Sequence, residues 1–171
     1  MNIFVLDYDP KSCAQMHCDK HVVKMILETA QLLCGVHHMT DSQRMIPYKL
    51  SHKNHPCSIW ARECVENYVW LCDLGLELCE EYTYRYGKKH KSQEIIEWCL
   101  LNIPKIKENG SVTDFKLAMP DECKIDNNPI LSYRKYYIDF KKDFARWKNR
   151  DVPNWFTISD DSSKHPQLML L

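Results

Sequence analysis

The sequence predicts a mainly α-helical, compact single-domain bundle that begins with a short extended segment. Its 171 residues suit one domain of ordinary size. Hydrophobic residues make up 44% and recur at helical spacing, whereas only 4 glycines are present, too few for a turn-rich β-sandwich. We therefore expect one helical domain over residues 1–156 and a C-terminal tail over residues 157–171.

Capping residues set the expected ends of four helices. The apolar run Ile3–Leu6 is expected to be extended, and Asp9 followed by Pro10 is typical of a helix N-terminus. Glycine or proline follows the first three periodic stretches, and residues 105–128 look irregular. The expected helices run from Pro10 to about Cys34 with Gly35 as C-cap, from His55-Pro56 to Tyr84 or Tyr86 before Gly87, from Ser92 to Ile103, and from Pro129 to Lys148.

Composition bounds the expected location of the protein. The longest purely apolar runs are only a few residues, so we expect no contact with a membrane. The first ten residues contain Asp7 and Asp9, which does not fit a signal peptide. The 9 cysteines are an odd number scattered through helical stretches, and we interpret them as reduced thiols of an intracellular protein, cytoplasmic or nuclear.

Charge is balanced in total but segregated along the chain. Basic and acidic residues number 23 each. Residues 63–81 carry six acids and no Lys or Arg, residues 84–91 carry four bases and no acid, and residues 133–150 carry seven bases against two acids. Aromatic residues alternate with the bases of the last segment, as in surfaces that bind phosphates and unstacked bases, although on an amphipathic helix aromatics more often form core. A neutral total is therefore compatible with a local basic face.

One face of the first expected helix collects imidazoles and amines. Six polar side chains fall within an arc of about 100°, and a plain solvated face would explain them equally well. Imidazoles change charge near neutral pH and clustered amines bind phosphate, so the face also suits an anionic substrate. The six residues are His17, Lys20, His21, Lys24, Glu28 and Gln31.

The same segment allows a metal site as an alternative. His17 and His21 are four residues apart and can share a metal ion, with His52 or His55 completing a tetrahedral site. Against this hypothesis, the chain has no CxxC pair, and neighbouring lysines would oppose a dication.

The nucleophile candidates are thiols and amines. No hydrolase, NTPase, dehydrogenase or kinase signature occurs. In model peptides an α-amine has a lower pKa than a lysine amine, roughly 8 against roughly 10.4, so more of it is neutral at pH 7. The candidates are Cys18, the amines of Met1, Lys20 and Lys24, and Glu28 or Asp19 as proton acceptor.

Two segments together carry a family resemblance, namely Asp19–Lys24 followed by Glu28 and Gln31, then Asn54-His55-Pro56 with Trp60 and Gly75–Tyr82. They resemble the pyrimidine-dimer DNA glycosylases of the endonuclease V type. The resemblance covers about residues 1–90. Over most of its length the chain is also similar to phage and large-virus proteins that share Asn2–Asp7 and His17–Lys24, which implies no activity but a host-cell location if the protein is viral.

The glycosylase resemblance implies a compact helical domain whose N-terminus lies against a basic helix face. It implies attack by an amine on the sugar C1′ of a flipped, damaged nucleotide, a Schiff base assisted by a carboxylate, and strand cleavage by β-elimination. Characterised members expose an N-terminal threonine, whereas Met1 here precedes Asn2, whose side chain disfavours removal of the methionine. Alignment places His21 or Val22 near the family's catalytic glutamate, and Glu28 lies more than a turn later.

These observations lead to one hypothesis and two alternatives. We expect a DNA-processing glycosylase/lyase that acts on damaged or modified DNA and needs no cofactor. The alternatives are a non-catalytic nucleic-acid-binding viral accessory protein and a His/Cys metal-dependent enzyme. The expected catalytic residues are Met1, Lys20, His21, Lys24 and Glu28. The expected nucleic-acid contacts are His17, Gln31, Asn54, His55, Arg85, Lys88, Lys89, Arg134 and Lys135.

Overall fold

The computed structural model describes residues 1–40 and 44–156, and this part of the chain is helical without strands. The predicted mainly α fold class is therefore confirmed. The tail predicted at residues 157–171 lies outside the described residues. The helices are α1 (Pro10–Met16), α2 (Asp19–Met39), α3 (Pro56–Ala61), α4 (Val65–Tyr86), α5 (Gln93–Leu101) and α6 (Pro129–Phe140), with a 3₁₀ turn at Asp121–Cys123.

The first expected helix is in fact two helices. The backbone leaves the helical region at His17 (ψ 133°) and Cys18 (ψ 159°), and α2 starts at the next residue. The carbonyl oxygens of Gln15 and His17 accept hydrogen bonds from the Arg85 guanidinium at 3.0 and 2.9 Å, which satisfies backbone groups that the break leaves free. The prediction of one continuous helix was wrong because this long-range contact has no local signal.

The ends of the helices follow the sequence only in part. Gly35 is not a C-cap, because α2 continues over the buried residues Val36 and His37 to Met39. Gly87 does end α4, with φ 67° and its N–H donating to the carbonyl of Thr83 at 2.8 Å.

The later boundaries differ for tertiary reasons. The second expected helix is interrupted at Cys64, which is extended, and the backbone N–H of Val65 donates to the carbonyl of Lys107 at 2.9 Å. The fourth ends at Phe140, and the turns that follow bring the carbonyl of Arg146 to the backbone N–H of Asp19 at 2.7 Å. The prediction for α5 was correct to within two residues.

The core is built around α4, which packs against α1, α2, α3 and α5. Gly75 allows the close approach of α2 and α5, because a Cβ there would lie 2.8 Å from Thr29 Cγ2 and 2.9 Å from Ile96 Cδ1. The non-helical segment Ile3–Leu6 is buried in the same core. This burial fixes the path of the chain into residues 1 and 2.

The structure bears on two predictions made from composition, the reduced cysteines and the absence of a membrane span. All nine cysteines are free and buried, as their interpretation as thiols requires. Within the described ranges no helix combines the length and apolarity that a membrane span needs.

Candidate active site

The N-terminal amine lies beside a carboxylate of α2. The nitrogen of Met1 is 3.7 Å from Glu28 Oε2, and the backbone N–H of Asn2 donates to the same oxygen at 3.1 Å. On the preceding turn of α2, Lys24 Nζ is 3.3 Å from Glu28 Oε1. The carboxylate is mostly buried, with 12% of the side chain exposed, whereas the Lys24 side chain is 63% exposed. One carboxylate thus contacts two primary amines, one against the protein and one facing solvent.

Two features of the sequence produce this arrangement. Lys24 and Glu28 are four residues apart, so α2 places them on the same face. The buried apolar run Ile3–Leu6 then holds the chain start against α2. The amine is therefore positioned by core packing.

The side chain of Asn2 fixes the residue next to the amine. Its Nδ2 donates to the carbonyl of Ala118 at 2.9 Å, and its Oδ1 accepts from the backbone N–H of Ile3 at 2.8 Å. The hydroxyl of the buried Tyr133 is 3.1 Å from the same Oδ1, and Cys57 Sγ is 3.5 Å from it. Sequence reasoning missed Tyr133 and Ala118 because they lie more than a hundred residues from Asn2 along the chain.

The loop before α3 forms another side of the site. His55 is half-buried, and its Nδ1 accepts from the backbone N–H of Cys57 at 3.1 Å, which caps α3. Burial lowers the pKa of His55, the N-terminal amine lowers it further, and the Glu28 carboxylate opposes the shift. A neutral imidazole therefore stands near the amine and the carboxylate at neutral pH. Asn54 is exposed beside it.

His17 and His21 do not form part of a solvent-facing stripe. His21 is 5% exposed, its Nδ1 is 2.6 Å from the hydroxyl of Tyr137, and its ring packs on Phe4 with centroids 4.3 Å apart. His17 is 1% exposed and its Nδ1 is 2.8 Å from the carbonyl of Cys13. The helix break moves His17 off the face of α2, and α6 with the N-terminal segment covers His21. A surface contact between these imidazoles and phosphate does not fit this burial.

The two buried histidines make stability depend on pH. Burial is the main cause that lowers the pKa of His17 to about 4 and that of His21 to about 3 in the folded protein, against about 6.5 in an unfolded chain. Because the unfolded state binds more protons below pH ~6.5, the stabilisation is complete above that pH. It declines on acidification toward the folded values, by up to about 1.4 kcal/mol per pH unit for each histidine.

Urea unfolding at about pH 7.5, 6 and 5 measures this decline. We expect the free energy of unfolding to fall at each step. An unchanged midpoint and slope across the series would contradict neutral, buried imidazoles.

The remaining expected contacts are spread over the molecule. Lys20 is exposed, with its Nζ 4.6 Å from the centroid of the Phe144 ring, and Gln31 is half-buried. Lys88 and Lys89 are exposed beyond α4, where Lys89 Nζ lies 3.7 Å from Glu94. Lys89 Nζ also lies 3.8 Å from Glu97, so this lysine has two carboxylate partners.

Three of the expected basic contacts are engaged within the protein. Arg85 has a fully buried side chain, so it is not available as a DNA contact in this fold. Arg134 is half-buried and its Nε donates to the carbonyl of Leu6 at 3.0 Å. Lys135 forms an ion pair with Asp139.

The histidines and cysteines of the described residues are not gathered around a common point. Across residues 1–40 and 44–156, no group of three or more His, Cys, Asp or Glu side chains is arranged to hold a metal ion. The His17 and His21 rings are 6.4 Å apart between centroids, and each has its own hydrogen-bond partner.

The amine and carboxylate lie within the part of the chain that a known family covers. A family model described as pyrimidine dimer DNA glycosylase matches residues 1–94. The chain belongs to this family. The resemblance inferred from the motifs is thus confirmed, and DNA repair by a glycosylase is the function of the family. Comparisons with curated proteins and with solved structures gave no match.

The family match includes some of the residues of the candidate site and leaves out others. The matched region contains Met1, Lys24, Glu28 and His55. It ends before Tyr133 and all of α6, so the Tyr133 hydroxyl that contacts Asn2 lies outside the matched residues.

Proposed function

We propose that this protein is a DNA glycosylase/lyase whose Met1 α-amine attacks the sugar C1′ of a damaged nucleotide. The observation that carries the proposal is the 3.7 Å separation between Met1 N and Glu28 Oε2 in a member of a DNA glycosylase family. A primary amine becomes a nucleophile when a neighbouring base removes its proton, and this carboxylate is within reach of the amine.

The proposed reaction has two stages. The neutral amine forms a bond to C1′ while the bond from C1′ to the base breaks, and the departing base takes the electron pair and a proton. Ring opening gives a Schiff base between the amine and C1′. Removal of a C2′ proton then expels the 3′ phosphate by β-elimination. Glu28 accepts the amine proton, gives it to O4′ as the sugar ring opens, and, as a carboxylate again, takes the C2′ proton.

Lys24 is the competing nucleophile, and exposure argues for a different role. Its side chain is 63% exposed, so its amine is hydrated and faces the solvent side of the site. A lysine in that position suits a contact with the phosphate backbone, together with Lys20, Lys88 and Lys89. The exposed Asn54, next to His55 in the sequence, and the half-buried Gln31, three residues after Glu28 on α2, are the proposed further DNA contacts. DNA is therefore the proposed partner, and the proposed location of the protein is inside the cell.

Borohydride trapping tests the proposal directly. The protein is incubated with a duplex that contains one pyrimidine dimer, or one abasic site, in the presence of sodium borohydride, which reduces a Schiff base to a stable covalent bond. We expect a covalent protein–DNA adduct with damaged duplex and none with an intact duplex of the same sequence.

Peptide mapping of the adduct identifies the nucleophile. Trypsin cuts after Lys11, so an adduct on Met1 appears in the peptide of residues 1–11, whereas an adduct on Lys24 appears elsewhere. The Lys24→Gln variant is the matched control, and it should retain the adduct. An intact mass shows whether Met1 is present, since its removal would leave the Asn2 nitrogen, 3.1 Å from Glu28, as the amine.

Two outcomes would count against the proposal. An adduct that maps to Lys24 and disappears in Lys24→Gln would show that Lys24, and not Met1, is the nucleophile. Salt-sensitive DNA binding without any adduct on either damaged duplex would favour the non-catalytic binding alternative.

A further inference from the structure

A group of aromatic rings and lysines lies on the surface, with four of its five residues outside the family match. It consists of Tyr136 and Phe140 from the end of α6, Lys141 and Phe144 from the turns that follow, and Lys20 from α2. We call these five residues the aromatic–lysine surface. By contrast, Tyr133 and Tyr137 of the same helix are completely buried, so α6 divides its aromatics between core and surface.

The lysines of this surface lie over its rings. Lys141 Nζ is 4.6 Å from the centroid of Tyr136 and 5.9 Å from that of Phe144. Lys20 Nζ is 4.6 Å from the Phe144 centroid, so two ammonium groups share one ring. Lys20 is exposed, and Tyr136, Lys141 and Phe144 are half-buried. Cation–π contacts that solvent reaches are weak and exchange readily for a stronger ion pair. A phosphate group can therefore draw either ammonium away from its ring.

Phe140 is the ring with most free surface. The residue is 46% exposed, and within the described residues its ring neighbour is Tyr136, in a T-shaped contact with centroids 5.5 Å apart. A T-shaped contact occupies at most one of the two faces of a ring. At least one face of Phe140 is thus open to a stacking partner.

The charge of this surface is complementary to a nucleic acid strand. Of the nearby acids, Asp139 is paired with Lys135, and Asp143 is exposed beside Phe144. Within residues 1–40 and 44–156, Lys20 and Lys141 form no ion pair with a carboxylate, and their ammonium groups contact rings instead. Uncompensated ammonium groups next to an open aromatic face match a phosphate followed by an unstacked base.

The aromatic–lysine surface also borders the proposed active site. Tyr136 stacks on Phe4 with centroids 6.0 Å apart and rings inclined by 23°, and Phe4 is two residues from Asn2. On α2, Lys20 is one turn before Lys24, which contacts Glu28. Eight residues of α2 separate Lys20 from Glu28, a rise of about 12 Å, so one strand can contact both.

We propose that the aromatic–lysine surface binds an unpaired nucleotide of the DNA strand, with the base stacked on Phe140 and adjacent phosphates bound by Lys20 and Lys141. The choice of DNA as the ligand rests on the proposed function. Stacking on one aromatic side chain changes affinity by about 5- to 100-fold, largely regardless of the base. The proposal therefore gives the protein a preference for strands with unpaired bases, such as those opened at a lesion.

Equilibrium binding to two probes tests the stacking. The probes are a fluorescein-labelled 12-mer single strand and the fully paired duplex of the same sequence, followed by fluorescence anisotropy. We expect Phe140→Ala and Phe140→Leu to weaken single-strand binding by about 5- to 100-fold, and to leave duplex binding within about twofold. Phe140→Trp should retain single-strand binding, because it keeps an aromatic face. The matched control is Leu101→Ala on α5, a residue 84% exposed.

Salt dependence tests the lysines. Lys20→Gln and Lys141→Gln should each reduce the slope of log K against log salt by about 0.7 on the single strand. Lys107→Gln, an exposed lysine in the segment after α5, should leave it unchanged.

The outcomes separate this proposal from the proposed function. Equal losses on single strand and duplex for Phe140→Ala, or no loss on either, would overturn base stacking even if borohydride adducts form normally. If the Phe140 substitutions weaken single-strand binding as expected but no borohydride adduct forms, only the glycosylase/lyase proposal would be overturned. Failure of the wild-type protein to bind either probe would overturn the stacking site. Thermal melting of each variant by circular dichroism shows that it is folded, and Phe140→Leu keeps the apolar contact with Tyr136.

Discussion

Glu28→Gln is expected to reduce strand cleavage at a damaged site by about 10²- to 10⁴-fold, the range that a positioned general base contributes. The amide cannot accept the proton of the Met1 amine, which lies 3.7 Å from the carboxylate oxygen. Glutamine has nearly the same shape, and its amide oxygen can still accept the hydrogen bond from the backbone N–H of Asn2. The loss should therefore appear in the rate of Schiff-base formation rather than in folding.

Single-turnover kinetics with excess protein measures this rate, on an abasic duplex and on a pyrimidine-dimer duplex. The dissociation constant for the same duplexes should change by less than about tenfold, because Glu28 is a proton acceptor in the proposal and not a phosphate contact. Glu80→Gln, at an exposed glutamate of α4, is the matched control and should cleave at the wild-type rate. Cleavage by a folded Glu28→Gln protein within about threefold of wild type would show that another group accepts the proton.

The local signals of the sequence predicted the parts of the fold that local chemistry determines. Asp9 followed by Pro10 does start α1, and the Asp9 carboxylate accepts from the backbone N–H of Ser12 at 2.8 Å. Gly87 ends α4 because glycine adopts positive φ without strain. The break at His17 and Cys18 could not be predicted in this way, because neither residue is a helix breaker and the stabilising guanidinium comes from α4.

In the candidate site, too, some contacts follow from local sequence and others depend on tertiary packing. The Lys24 and Glu28 contact follows from helical spacing. The position of Met1 beside Glu28 required the burial of Ile3–Leu6, which apolar composition suggests but does not direct to a particular helix. His21 was interpreted as a surface imidazole because one helix face contains it, yet its partner Tyr137 is 116 residues away. Periodicity identifies a polar face, but only tertiary packing decides whether that face meets solvent.

Arg85 is a second residue whose tertiary contacts differ from what the local sequence suggests. As one of four bases in residues 84–91, it suggested a phosphate contact. In the fold its Nε donates to Glu81 at 2.9 Å and one terminal nitrogen contacts Asp19 at 3.0 Å. Its other bonds go to the carbonyl oxygens of Gln15 and His17, where α1 ends. One guanidinium therefore joins α4 to the break that separates α1 from α2.

Arg85→Met is expected to lower the free energy of unfolding by about 3–5 kcal/mol, as for other buried ion pairs that lose one partner. Methionine fills much of the space but donates no hydrogen bond, so the two carbonyl oxygens lose their donors and the Glu81 carboxylate, 5% exposed, keeps only Arg150. Urea unfolding of the variant and of wild type at neutral pH measures the difference.

Arg85→Lys and Arg150→Met separate the geometry of this contact from its charge. Lysine keeps the positive charge but cannot reach four acceptors in the plane of a guanidinium, so Arg85→Lys should still lose a large part of the stability. Arg150→Met should cost less, because its side chain is 30% exposed and Glu81 keeps Arg85. If Arg85 instead bound DNA, Arg85→Met would weaken the affinity for DNA and leave the free energy of unfolding unchanged. An Arg85→Met protein within about 1 kcal/mol of wild type would therefore refute the structural role of the guanidinium.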